Sequence, residues 1–181
     1  VRADDAVADL LIIGAGLAGI AAAQSAAAQG LHAIVIDKGR GIGGRMASRR
    51  VVLDDGRTIS FDHGAQFMTA RSPALIARMV AAEADGAVRR LDADDTQAPR
   101  WVGGYPRWVG VGAMTALVKA LAHGLEIRTA VRVARISRDA GIWTLTDDQD
   151  AMAVLRSCGI ALDDLRDQLI QYLENELGGL V

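Results

Sequence analysis

The sequence predicts an α/β fold built on a parallel sheet, and three features predict it. The apolar run LLII stops at Gly14 and leads into Gly14-Ala15-Gly16-Leu17-Ala18-Gly19. An Ala-rich helical stretch follows at once. A second apolar run, AIVID, then ends on the carboxylate of Asp37. Strand, glycine turn, helix, strand and acid stand in the order of a βαβ dinucleotide-binding unit, so the expected fold is Rossmann-like.

Each glycine of that turn has a separate reason. Gly14 permits the tight turn out of the strand. Gly16 lets backbone approach a pyrophosphate, which a Cβ would obstruct, and Gly19 lets the helix lie close to the strand. The helix N-terminus offers N–H groups and a partial positive charge to phosphate. Asp37 suits ribose hydroxyls and disfavours a 2′-phosphate at the same place.

The later elements follow from local signals. Residues 51–61 alternate apolar and polar around Asp54-Asp55-Gly56 and predict a hairpin. Residues 72–84 predict a helix, with Ser72 as N-cap, Pro73 at its first position and Leu75, Ile76, Met79 and Val80 on one face. Residues 86–100 are charged and read as a surface connection. A helix over Ala113–His123, closed by Gly124, precedes strands at Leu125–Thr129, Val131–Arg138 and Ile142–Leu145.

Beyond about residue 145 the composition changes. Residues 144–181 carry two basic and eight acidic side chains, against 18 and 14 before them. The segment AMAVLRSCGI reads as a short helix. ALDDLRDQLIQYLENEL reads as a longer amphipathic one, with Leu162, Leu165, Leu169, Leu173 and Leu177 in one stripe. The expected organisation is a nucleotide-binding domain over 1–144, truncated, and a helical appendage of different origin over 145–181.

Composition limits the function classes. The chain has 181 residues, is 51% hydrophobic and only 4% aromatic, and carries a net charge of −2. That balance gives no electrostatic case for nucleic acid. No apolar run reaches the roughly 18–20 residues of a membrane-spanning helix. Asp4, Asp5 and Asp9 stand where a secretory leader would carry positive charge. A single cysteine, Cys158, cannot form an intrachain disulfide and fits a reducing compartment. The expected location is therefore cytoplasmic. No metal-ligand spacing and no nucleophile–base set stands out, so no catalytic residue is named and no metal is expected.

A second glycine cluster follows the acid. Gly41, Gly43, Gly44 and Arg45 lie in KGRGIGGRMASRR. Backbone N–H groups beside an arginine make an anion-binding concavity. A plain NAD-binding unit does not need this loop.

With that loop the sequence resembles a known family. GAGLAG, IDKGRGIGGRMASRR and FDHGAQFMTAR look like the flavin-binding segments of FAD-dependent amine-oxidase-like proteins, in particular the bacterial renalase-like branch. The resemblance runs from about Asp9 to Trp143. It implies FAD as the cofactor, with Asp37 at the adenosine ribose and the neighbouring Lys38 among the cofactor-binding residues. It places Gly43, Gly44 and Arg45 along the pyrophosphate and flavin side. Gly64, Ala65, Gln66 and Phe67 would approach the isoalloxazine ring, and the backbone of Val133 would meet adenine. His63 is read as a loop histidine bonded to backbone in preference to a catalytic base. Trp101, Tyr105 and Trp108 are read as packing residues in preference to a substrate path.

The resemblance also implies hydride transfer from an amine or dihydronicotinamide-like small molecule to flavin. The substrate-binding half of the family has no counterpart after residue 145, so the fragment is expected to turn over weakly or not at all. The final residues, from LTDDQDAMAVLRSCGI onward, instead resemble part of the helical N-terminal domain of ClpA-type AAA+ chaperones. That likeness implies self-association or a chaperone/adaptor contact through the C-terminal helix. An alternative function follows from it: an interaction module whose tail docks to a chaperone while the first domain is a passive nucleotide-fold scaffold.

Overall fold

The computed structural model describes residues 7–91, 105–148 and 152–155. Along the chain lie β1 (Val7–Ala8), β2 (Leu10–Ile13), α1 (Leu17–Ala28), β3 (Ala33–Ile36) and a single 3-10 turn at Gly44–Met46. Then come β4 (Ser48–Val52), β5 (Thr58–Asp62), β6 (Met68–Thr69), α2 (Pro73–Ala84) and β7 (Val88–Arg90). They are followed by β8 (Arg107–Gly110), α3 (Thr115–Leu121), β9 (Glu126–Arg128), β10 (Val133–Asp139), β11 (Ile142–Asp147) and β12 (Met152–Leu155). The described residues fall into two compact units, one made of those up to Gly44 and from Leu121 onward, the other of those within Arg45–Ala120.

The first unit holds the predicted βαβ. β2, β3 and β9 form a parallel sheet in that order, with Leu10 opposite Ala33 and Ile34 opposite Glu126. This is the 3-2-1 strand order of half a Rossmann sheet. Parallel strands need both faces covered, which is why β3 is apolar throughout and buried at Ile34, Val35 and Ile36. α1 supplies one cover through Ile20, Ala21, Ala23 and Ala26. Its many alanines keep the helix narrow and favour helix formation.

The same unit carries a second sheet, ordered β1-β12-β11-β10. β10 and β11 form a hairpin whose two turn residues, Ala140 and Gly141, both have positive φ (45° and 83°). That backbone matches the right-handed twist of the flanking strands. Ala8, Ile34, Ile36 and Leu145 make a core cluster, with Leu11, Val131 and Val133 packed against it.

β12 corrects the sequence reading. Met152–Leu155 was expected within a short helix, yet its backbone pairs antiparallel with β11 and parallel with β1. Four residues of AMAVL alternate too little to fix a period, and the open edge of β11 supplies hydrogen-bond partners that favour strand. The Leu-rich stripe from Leu162 and Cys158 lie outside the described residues.

The second unit contains an antiparallel ribbon and a small sheet. β4 and β5 pair from Ser48–Asp62 to Val52–Thr58, as the hairpin signal around Asp54-Asp55-Gly56 predicts. Gly56 has φ of 81°, the turn position that needs glycine. β6, β8 and β7 form a three-stranded antiparallel sheet in the order β6-β8-β7. β7 lies within the stretch expected as a surface connection. It is short and charged, but Val88 is buried and anchors it.

α2 begins as predicted. The Ser72 hydroxyl accepts from Leu75 N–H at 3.2 Å, and Pro73 opens the helix. Its buried face is Met79 and Ala82, however, and Val80 is 46% exposed. α3 is shorter than expected. It ends at Leu121, with Gly124 at φ of 78° in the following turn. Among the described residues no helix is long and apolar enough to cross a membrane, and no group of three or more His, Cys, Asp or Glu side chains is placed to hold a metal ion.

Candidate functional site: a junction of two glycine loops

The first glycine turn is built as the sequence requires at two of its three glycines. Gly14 has φ of 111°, and its N–H donates to Ile36 O at 2.7 Å, continuing the β2–β3 pairing into the turn. A Cβ on Gly19 would land on the carbonyl oxygen of Gly14 and lie 3.3 Å from Ile12 Cγ2. Glycine there is a packing requirement of strand against helix. Gly16 differs. Its φ of −80° is open to any residue, and a Cβ would meet only Gly44 Cα at an ordinary 3.8 Å.

Gly16 is also the N-cap of α1. No side chain caps that helix, and its first turn contains no acidic residue. The positive end of a twelve-residue helix is therefore electrostatically open to an anion. Ala15 is buried, Leu17 is half-buried and Ala18 is exposed.

The second glycine loop meets the first through backbone. Gly43 N–H donates to Ala15 O at 2.8 Å, and Gly16 and Gly43 form an isolated parallel bridge. Gly43 and Gly44 both have positive φ, at 126° and 55°. A Cβ on Gly44 would stand 3.1 Å from Gly16 Cα. Bare backbone on both sides allows this approach, and any side chain at Gly44 would press the loops apart.

Asp37 ties the same region together. One carboxylate oxygen accepts from Ala15 N–H at 2.7 Å and the other from Gly39 N–H at 2.6 Å. Its own N–H donates to Arg128 O at 2.9 Å and its carbonyl accepts from Val131 N–H at 3.0 Å. Sequence reasoning assigned Asp37 only to ribose. Geometry adds a brace on the first glycine turn, since each carboxylate oxygen already holds a backbone N–H and keeps a further lone pair. Lys38 beside it is exposed.

Val133 opens β10, and its half-buried side chain packs against the core cluster. At the far end of the parallel sheet from the turn, His32 Nε2 lies 3.0 Å from Glu126 Oε2, and Arg128 Nη2 lies 2.9 Å from Glu126 Oε1. The hydrogen bond from His32, reinforced by Arg128, holds the Glu126 carboxyl below the usual glutamate range.

The other assigned residues belong to the second unit. The Arg45 side chain is exposed, and its carbonyl accepts from Ala65 N–H at 2.8 Å. A Cβ on Gly64 would fall on that same carbonyl oxygen. Gly64 is thus required by its own chain, a demand separate from the flavin approach that the family resemblance implies. His63 and Gln66 are exposed, and Phe67 is 37% exposed with the Arg107 guanidinium 5.8 Å from its ring centroid. Of the three aromatics read as packing, Trp108 is fully buried. Tyr105 is 45% exposed beneath the Arg71 guanidinium, and Trp101 lies outside the described residues. The sequence places Asp62 at the head of the FDHGAQF segment without a role of its own and gives none to Ser48, yet these two join the segments. An acid at the end of a predicted strand was the available signal.

Comparison with known proteins gives the same architecture. Residues 12–82 match the profile of the NAD(P)-binding Rossmann-like domain. A putrescine oxidase variant redesigned in its cofactor binding is similar in structure at 13% identity and a TM-score of 0.56, over 84% of this chain and 57% of that one. A flavin monooxygenase from Stenotrophomonas maltophilia matches at 19% identity and a TM-score of 0.44, over 83% of this chain and 36% of that one. The chain thus spans about a third to somewhat over half of the length of these structures. The likeness of the tail to a chaperone domain has no counterpart among these matches. A three-strand parallel sheet, a glycine turn into α1 and an acid after β3 make the first unit a Rossmann-like nucleotide-binding fold.

Proposed function

We propose that this chain is the cofactor-binding part of an FAD-dependent oxidoreductase, of the amine-oxidase or renalase-like kind. The observation that carries the reading is the backbone junction of the two glycine loops, with Gly43 N–H on Ala15 O and Gly44 against Gly16. A mononucleotide βαβ unit needs only the first loop. A second loop packed on it, followed by the exposed Arg45, extends the polar backbone along a longer pyrophosphate-containing ligand.

In this reading the Gly14–Gly19 turn and the uncapped start of α1 hold the pyrophosphate. Asp37 accepts from ribose hydroxyls with the lone pairs left over from Ala15 and Gly39, and Lys38 stands beside it. Gly43, Gly44 and Arg45 continue along the pyrophosphate. Gly64, Ala65, Gln66 and Phe67 address the ring, and the backbone of Val133 addresses adenine. FAD, when bound, supplies acceptance of a hydride from an amine-like or dihydronicotinamide-like small molecule and delivery of its electrons to oxygen. The chain's own residues bind and orient the cofactor. The chain spans only part of the structures it resembles, and little turnover is expected from it alone.

The experiment is a parallel titration of the purified chain with FAD, NADH and NADPH, read by calorimetry and by flavin fluorescence. FAD is expected to bind more tightly than either nicotinamide nucleotide. Saturable NADH or NADPH binding with no response to FAD would replace this reading with a nicotinamide-binding domain.

A further inference from the structure

We infer that Asp62 is the positioning residue of the segment His63–Phe67, holding it in place for the ring of a bound flavin; this rests on the proposed function. Asp62 ends β5, opposite Ser48 at the start of β4. One oxygen, Oδ1, accepts from the Ser48 hydroxyl at 2.5 Å and from Met114 N–H at 3.0 Å. Those partners lie 14 and 52 residues away in the chain. A single carboxylate oxygen therefore joins the ribbon that follows Arg45 to the turn that leads into α3.

That turn is itself closely packed. A Cβ on Gly110 would fall on Ala113 O, and Gly110 N–H lies 3.4 Å from Met114 Sδ. Ala116 N–H donates to Ala113 O at 3.0 Å. Asp62 is thus bonded to a closely packed turn. The segment after it is tethered at two further points. Ala65 N–H donates to Arg45 O at 2.8 Å, and Met68 pairs with Trp108 as β6 begins.

Between these tethers His63 and Gln66 stay exposed, and Phe67 keeps 37% of its surface exposed under the Arg107 guanidinium. Exposed loops ordinarily gain little from ordering, because entropy opposes it. Here one side-chain anchor and two backbone anchors within seven residues hold a stretch in which His63 and Gln66 are exposed. That arrangement serves a surface offered to a ligand, where pre-organisation lowers the cost of binding. Asp62 is the anchor made by a side chain, and so the one that can be removed without altering the backbone.

The test compares wild type, Asp62→Ala and Asp62→Asn in the full chain. Amide hydrogen exchange is measured at Met114 and across 63–67, without added ligand, and FAD affinity is measured by titration. Loss of the hydrogen bonds from Met114 N–H and the Ser48 hydroxyl at an exposed site is expected to speed Met114 exchange about tenfold and to weaken FAD about tenfold in Asp62→Ala. Asp62→Asn keeps an acceptor oxygen and is expected to restore most of both. Unchanged exchange in Asp62→Ala overturns the inference. Faster exchange with unchanged FAD affinity also overturns it, since the role would then be structural only. Failure of Asp62→Asn to restore either readout overturns the assignment to hydrogen bonding. Absence of FAD binding in wild type removes the proposed function itself, a result separable from any difference among the variants in exchange.

Discussion

Gly16→Ala and Gly19→Ala form a matched pair, three positions apart in the glycine turn and opposite in what they test. At Gly16 the backbone already suits alanine, and the new Cβ would meet only Gly44 Cα at 3.8 Å. Alanine is a poorer N-cap than glycine by about 0.5–1 kcal/mol. The reduced entropy of the unfolded chain offsets about 0.4–1 kcal/mol of that. The net change in stability is within about 0.5 kcal/mol. At Gly19 the Cβ lands on the Gly14 carbonyl, and backbone cannot move aside cheaply. Overpacking of that kind costs about 3 kcal/mol, near or above the upper end of the usual range. The gain in helix propensity returns about 1 kcal/mol. The remaining ~2 kcal/mol corresponds to a fall in Tm of about 4–8 °C for a domain of this size.

Thermal unfolding followed by circular dichroism measures the stability half, and FAD titration the binding half. Gly16→Ala is expected to melt within about 2 °C of wild type while binding FAD at least about tenfold more weakly, because its Cβ would occupy the path of the pyrophosphate. Equal melting losses in the two variants would refute the assignment of Gly19 to packing. Undiminished FAD affinity in Gly16→Ala would refute the assignment of Gly16 to ligand approach.

Three further outcomes follow from the described contacts. Asp37→Asn replaces one acceptor oxygen with an amide nitrogen, leaving Ala15 N–H or Gly39 N–H without its partner. It is expected to lower the urea midpoint by an equivalent of about 1–3 kcal/mol even without ligand, and an unchanged midpoint would show that the brace carries no stability. The Glu126 carboxyl is held below its ordinary range by His32 and then Arg128, so its contribution is full above the unfolded-state value and is lost as pH falls through the lower folded one. Glu126→Gln should therefore differ from wild type in Tm at neutral pH and converge with it in acid; a difference that persists in acid argues against this linkage. Ser72→Ala removes the cap on Leu75 N–H and is expected to cost about 1 kcal/mol in denaturant unfolding, with FAD binding unaffected.

The sequence alone determined the βαβ core, because its signals are local. An apolar run, positive-φ glycines and an alanine-rich helix are each specified within a few residues, and Asp37 follows β3 directly in the chain. The β4–β5 hairpin and the Ser72 cap were legible for the same reason. Short β6, β7 and β8 were not. They are two to four residues long, too brief for a period to show, and their pairing is supplied by strands distant in sequence. β12 read as helix because its partners β11 and β1 are what make it a strand. Exposure of Val80 was likewise invisible to periodicity, which finds an apolar face but not the neighbour that covers it.

At the site, the sequence supplied the residue types and the tertiary structure decided their duties. GAGLAG and GIGGR announced two glycine loops, yet only folding brought Gly43 to Ala15 and Gly44 to Gly16. Gly64 read as room for a ligand and serves at least its own chain at Arg45. Asp37 read as a ribose acceptor and also braces Ala15 and Gly39. Asp62 stood in a family-like motif at a strand end, with nothing in the sequence to show what it binds. Hydrogen bonds to residues 14 and 52 positions away depend on loop closure, which no window of sequence contains.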